Sequence, residues 1–207
     1  MILLLLVSLF FLWLAVREMR SSSRIDGFSL GYIAVMLGLA VLFGWPAVDH
    51  WRFERFLSAQ AYELTEHRPA RVNCVTLFES VFDHFGLAGR ANPETGDIVV
   101  QHPWCKTLRD YLDDPEFATE IELFSLHMFT HEAMHARGEY NERKTDCQAI
   151  QRNYRAAKLL GVPDQIAKEN AIAYYKGAYR KHPYFSKDCV PGSELDEQLP
   201  DSTWRRH

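Results

Sequence analysis

Five consecutive residues, His131-Glu132-Ala133-Met134-His135, have the spacing on which metal-assisted hydrolysis can be built. On a helix, positions i and i+4 lie one above the other, so both imidazoles point at a common ion. Glu132 projects to the adjoining side, where it can take a proton from a water acidified by that ion. Phe117, Ile121, Phe124 and Met128 precede the string at spacings of three and four. That stripe puts the histidines on the helix face that enters the protein, at its C-terminal end. The alternative for such a pair is structural, with one imidazole buried and hydrogen-bonded.

A third ligand is expected from the next helix. Gly138 stops the first helix, Asn141 caps a second, Glu142 stands just inside it, and Asp146 follows one turn later. A short turn brings the start of the new helix back over the last turn of the old one, where His135 lies. Glu142 then joins His131 and His135 as a ligand. Asp146 is placed to hold the outer nitrogen of a liganding histidine and so fix its tautomer. The alternative for Glu142 is a solvated acid at a helix N-terminus, where negative charge is favourable anyway. Two imidazoles and a carboxylate point to Zn2+ as the cofactor.

His127 lies one turn before His131, but three stacked imidazoles cannot share one ion, because the outer pair are ~12 Å apart. It is assigned to the core or the pocket wall. A donor for a tetrahedral oxyanion is also needed. Tyr174, Tyr175, Tyr179 and His182 are available, and the sequence does not choose among them.

H-E-x-x-H followed by N-E-x-x-x-D resembles the gluzincin zinc metallopeptidases of the thermolysin kind. The resemblance covers residues 131–146 and implies His131, His135 and Glu142 as zinc ligands. It further implies Glu132 as general base and Asp146 as the carboxylate behind a ligand, with a peptide or protein as substrate. The linker departs from the pattern: six residues separate His135 from Glu142, far fewer than in thermolysin-like enzymes. H-E-x-x-H-x-x-G also opens the metzincin pattern, with Gly138 in the glycine's place. The third histidine of that pattern falls at Asn141, a poor zinc ligand beside an available carboxylate. The whole layout is similar to uncharacterised membrane-anchored zincin-like proteins. It is also similar in outline to membrane-bound quality-control peptidases, which usually carry further spans downstream.

The elements that must position this string begin with an anchor. The chain has 207 residues, 47% hydrophobic and 24% charged, with a net charge of −4 and thirteen Phe. Such a composition excludes disorder, and the charge balance argues against a dedicated nucleic-acid binder. The apolar residues are unevenly spread. Residues 1–16 and 27–48 contain no charge. At 1.5 Å per residue they extend ~24 Å and ~33 Å, which predicts two transmembrane helices contacting the bilayer. A signal peptide would need a positive leader and small residues at a cleavage site, and neither is present. Arg17, Arg20 and Arg24 in the short loop place it on the cytoplasmic side and the remainder outside, with Arg52 and Arg55 counting the other way.

Residues 49–207 hold 20 basic and 25 acidic residues and read as one domain. The four cysteines, Cys74, Cys105, Cys147 and Cys189, all fall there and suggest two disulfides. Three pairings are possible. The sequential one, Cys74–Cys105 with Cys147–Cys189, is preferred over four buried thiols.

The pattern predicts a helix from Asp49 to about Glu66, broken at His67-Arg68-Pro69, and another over 72–85 ending at Gly86. A hairpin follows, with strands Leu87–Ala91 and Asp97–Gln101 around a turn at Asn92–Gly96. The second strand is offered as the edge along which an extended peptide pairs. A helix opening at Asp113-Asp114-Pro115-Glu116 runs to Arg137, one from Asn141 reaches about Gly161, and a last one spans Pro163–Arg180. The fold class is α+β: two transmembrane helices, then a mostly helical zincin-like domain with a small antiparallel sheet. The expected function is a membrane-anchored zinc peptidase. The alternative is a binding or scaffold domain, with or without zinc, that keeps the fold without turnover.

Overall fold

A computed structural model describes residues 1–21, 26–80 and 88–204. The chain divides into two compact units, Met1–Phe53 and Glu54–His207. The first contains helix α1 (Ile2–Ser21) and most of α2 (Gly27–Leu64). Both helices are long and apolar enough to cross a membrane. Many of their large apolar residues are exposed, Leu3 at 72% and Phe28 at 81%. Asp26 caps α2 by accepting from the Ser29 amide at 2.8 Å. Small residues let the two helices approach: Ser8 Oγ donates to the Ala40 carbonyl at 2.7 Å, and a Cβ at Gly44 would stand 2.7 Å from that hydroxyl.

In the second unit the last turns of α2 end where Glu66 and His67 adopt positive φ, at the expected break. Strand β1 (Arg71–Cys74) follows, then a short helix α3 (Leu77–Ser80), edge strand β2 (Gly89–Ala91) and central strand β3 (Asp97–Val100). The sheet order is β1-β3-β2, with β1 parallel and β2 antiparallel to β3. Val72, Cys74, Ile98 and Val100 alternate into the core. Gly96 must be glycine, since its φ is +76° and a Cβ there would fall 1.8 Å from the Pro69 carbonyl oxygen.

Three expectations are corrected here. The helix expected over 72–85 begins instead as a strand, because Val72 and Cys74 pair in register with Ile98 and Val100. Residues 81–87, with the stop at Gly86 and the first residue of the expected strand, lie outside the described residues. The sheet is mixed rather than antiparallel. With β1 on its far side, β3 is the middle strand and cannot serve as the edge. Among the described residues β1 and β2 are the edges.

Helix α4 (His102–Asp113) was not anticipated, although Pro103 in its first turn and Cys105, Leu108 and Tyr111 on its buried face mark it. A 3-10 turn at Pro115–Phe117 separates it from α5 (Glu120–Ala136). The start of α5 is therefore Thr119 rather than Asp114. Thr119 and Glu122 form a reciprocal capping box, which satisfies two orphan amides where Asp114 satisfies none by its side chain. Phe117 and Ile121 consequently stay exposed, at 75% and 57%, and only Met128 of the expected stripe is buried.

Helix α5 is the core of the unit, buried continuously from Ser125 to Met134. Gly138, at φ +109°, ends the helix, and Asn141 caps α6 (Glu142–Leu159) by accepting from the Lys144 amide at 3.0 Å. The last helix α7 (Asp164–Lys176) stops at Gly177, short of Arg180, and a 3-10 turn at Ala178–Lys181 completes the run.

Both disulfides follow the sequential pairing. Cys74–Cys105 ties β1 to α4, and Cys147–Cys189 ties α6 to the C-terminal segment. Loops of 31 and 42 residues make each worth about 4 kcal/mol through the unfolded chain. The same segment is held by Glu197, paired with Arg137 and the wholly buried Arg152, and by Asp201, which accepts two bonds from Arg155 at 2.7 Å each.

Candidate metal centre

The α5–α6 turn folds Glu142 back over the end of α5. Glu142 Oε2 lies 3.1 Å from His131 Nε2 and 3.3 Å from His135 Nε2, and the two Nε2 atoms are 3.1 Å apart. These separations suit a metal. Tetrahedral coordination at about 2.0–2.1 Å requires ligand atoms roughly 3.3 Å from one another. The outer nitrogens give a second reason. His135 Nδ1 donates to the Glu139 carbonyl at 2.7 Å, and His131 Nδ1 faces Asp146 Oδ1 at 3.5 Å. With both Nδ1 atoms turned away, the two Nε2 atoms and Glu142 Oε2 face one another across a gap that a shared cation fits. The residues therefore fit a metal ion, and the structure brings all three expected ligands together.

Glu132 lines the same cavity, of about 320 Å3, yet is itself only 6% exposed. Its Oε2 is buried and accepts no hydrogen bond. Burial, with repulsion from Glu142, pushes its carboxyl up to about 7 despite the opposing His131. Gly89 of β2 makes room for it: a Cβ there would sit 2.9 Å from Glu132 Cγ, Glu132 Oε1 and Met128 Sδ alike. Burial opposes protonation of His131, but hydrogen bonds to Asp146 and Glu142 and the nearby Glu132 charge raise it to about 9. The hydrogen bond from His131 in turn lowers the Glu142 carboxyl.

Asp146 does more than the sequence suggests. Its Oδ1 accepts from His127 Nε2 at 2.8 Å and lies 3.0 Å from His182 Nδ1, both closer than His131. One wholly buried carboxylate thus faces three imidazoles. Burial alone would raise it. Attraction to His127, with its hydrogen bond and the approach of His131 and His182, instead holds it well below the usual carboxylate range. His127 is fully buried and kept on the neutral side, its Nδ1 accepting from Asn153 Nδ2 at 3.2 Å. His127, His131 and Asp146 also form a group able to hold an ion. That group is buried and shares His131 with the first.

The four oxyanion candidates separate by position. Tyr174 and Tyr179 are buried with hydroxyls that lack partners, and Tyr175 packs on Tyr179 and Trp204. None of them lines the cavity, whereas His182 does. Tyr184 also lines it, its ring stacked over His131 at 5.8 Å between centroids. Sequence reasoning missed Tyr184 and Gly89. Neither belongs to a spacing pattern, and their place depends on how the C-terminal segment and β2 pack on α5.

Metal affinity is expected to fall with acid. Because metal-free His131 retains its proton up to about 9, an entering ion must displace that proton at neutral pH. Competition titrations from pH 6.5 to 8.5 should show about tenfold tighter zinc binding per pH unit. Binding independent of pH would remove His131 from the ligand set.

Comparison with family models, with curated proteins and with solved structures returns no match to this chain.

Proposed function

We propose that the chain is a membrane-anchored, zinc-dependent peptidase. One observation carries the reading: three donor atoms converge at 3.1–3.3 Å in a cavity whose second acidic group, Glu132, has a buried oxygen without a partner. His131, His135 and Glu142 would hold the ion. When bound, zinc supplies Lewis acidity to a water molecule and to a substrate carbonyl. Glu132 takes the water's proton as the water attacks the carbonyl, and then delivers it to the leaving amine. Asp146 and the Glu139 carbonyl fix the two histidine tautomers that leave Nε2 free. His182, as an imidazolium facing Asp146 through Nδ1, would donate its Nε2–H to the developing oxyanion.

Edge strand β2 lines the cavity and gives an extended peptide backbone groups to pair with. The two apolar helices would anchor the enzyme in the bilayer. The disulfides favour an oxidising compartment, in agreement with a cytoplasmic loop between the spans.

The test is the metal content of the purified full chain at neutral pH, together with hydrolysis of reduced casein. A chain that binds no zinc ends the proposal. Zinc without hydrolysis supports a binding domain instead.

Gly89→Ala should act through Glu132. The added methyl displaces the carboxylate by a fraction of an ångström, and kcat should fall about 10- to 100-fold with KM and zinc content retained. An unchanged kcat would mean that β2 does not position the base.

A further inference from the structure

We propose that a polar cavity at the α5–α6 turn binds a small zwitterion of the amino-acid type, a ligand carrying one carboxylate and one ammonium group. The proposal does not depend on the peptidase reading. The cavity, of about 290 Å3, is walled by the segment after α2, the α5–α6 turn, α6 and the C-terminal segment. It shares no lining residue with the cavity of the metal centre.

Two groups in its wall lack the partners their chemistry calls for. Gln148 is only 7% exposed, yet its side-chain Oε1 is buried and accepts no hydrogen bond. An unpaired buried acceptor is costly, so Oε1 needs a donor that the chain itself does not supply. Arg68 lines the same cavity with a guanidinium that no carboxylate engages among the described residues. Its Nη1 stands 2.6 Å from the place a Cβ on Gly138 would take, so glycine there leaves the approach open. The other charged groups are already engaged. Glu66 and Glu197 pair with Arg137 and Arg152. Glu139 pairs with Lys144 through one oxygen, while the other accepts the Tyr140 and Asn141 amides.

These facts select the ligand. A carboxylate matches the fork of the Arg68 guanidinium. A bare anion would also face Glu66, Glu139 and Glu197 along the wall, and a bare cation would face Arg68 and Arg137. A ligand bearing both charges meets neither objection. Its ammonium supplies the donor that Gln148 Oε1 lacks, and its net charge is zero. A free amino acid and a short peptide both carry these two groups, and the experiment distinguishes them.

The test is calorimetric titration of the full chain in lipid nanodiscs. The titrants are alanine, leucine, glutamate, lysine and alanyl-alanine, each compared with its N-acetyl and amide forms, which lack one of the two charges. At least one zwitterion should bind tenfold or more tighter than either of its blocked forms. A preference for alanine over alanyl-alanine names the free amino acid as the ligand, and the reverse preference names a peptide. Gln148→Leu removes the unpaired acceptor without breaking a side-chain bond, and Arg68→Ala changes an exposed position. Each should weaken binding tenfold or more with the melting temperature unchanged, and Arg68→Lys should restore part of the loss. No binding by any zwitterion, equal binding by the blocked forms, or an affinity that neither variant alters overturns the site. None of these outcomes bears on the peptidase, which zinc content and casein hydrolysis test separately.

Discussion

Glu132→Gln is expected to lose hydrolysis of an unfolded protein by at least 10^2- to 10^4-fold while binding zinc as the wild type does. The amide is isosteric but cannot accept the water's proton. It also keeps the side-chain volume that stands beside Gly89. None of the three convergent donor atoms belongs to Glu132, so the ion is untouched. Elemental analysis and casein hydrolysis on the two proteins, prepared side by side, check the expectation. Wild-type turnover by Glu132→Gln would end the assignment of Glu132 as base, and a variant devoid of zinc would show that the residue holds the metal instead.

The second large effect is expected at Asp146. Asp146→Ala leaves the buried His127 without its 2.8 Å acceptor and removes the charge faced by His131 and His182. Stranding buried donors and breaking a buried ionic cluster costs about 3–5 kcal/mol. A melting temperature lower by roughly 10 °C follows for a domain of this size. With the tautomer of His131 no longer fixed, zinc affinity should also weaken about 10- to 100-fold. Calorimetry and a chelator competition measure the two effects.

The acid dependence adds a sign. Because Asp146 ionises more readily in the folded protein than at its ordinary value of 3.8, its stabilisation is complete above that value and declines as pH falls below it. The metal-free wild type should therefore lose part of its advantage over Asp146→Ala in acid. A constant gap between them at all pH values would contradict the ionised role of Asp146.

The spacing of His131, His135, Glu142 and Asp146 was legible because local rules govern it. A helical period aligns the histidines, Gly138 ends one helix, and Asn141 starts the next. Long-range features were less legible. Residues 72–74 have an apolar pattern that serves a helix or a strand equally well, and only pairing with β3 decides. The start of α5 was misplaced because Asp114-Pro115 and Thr119-x-x-Glu122 are both good N-terminal signals. The reciprocal cap prevailed, and Pro115 was left to open a 3-10 turn. Helix α4 went unseen behind the hairpin that precedes it.

What the sequence supplied by itself was the grouping of His131, His135 and Glu142, two helices apolar enough to cross a membrane, and a preference among three disulfide pairings. What only the tertiary structure decided was the environment. It buried Glu132 against Gly89, turned three imidazoles onto Asp146, brought His182 and Tyr184 over the cavity and made β2 an edge strand. The physical reason is separation along the chain. Contacts within one or two helical turns follow from backbone geometry. Those between residues 89 and 132, or 146 and 182, depend on how whole elements pack, and no local period encodes that.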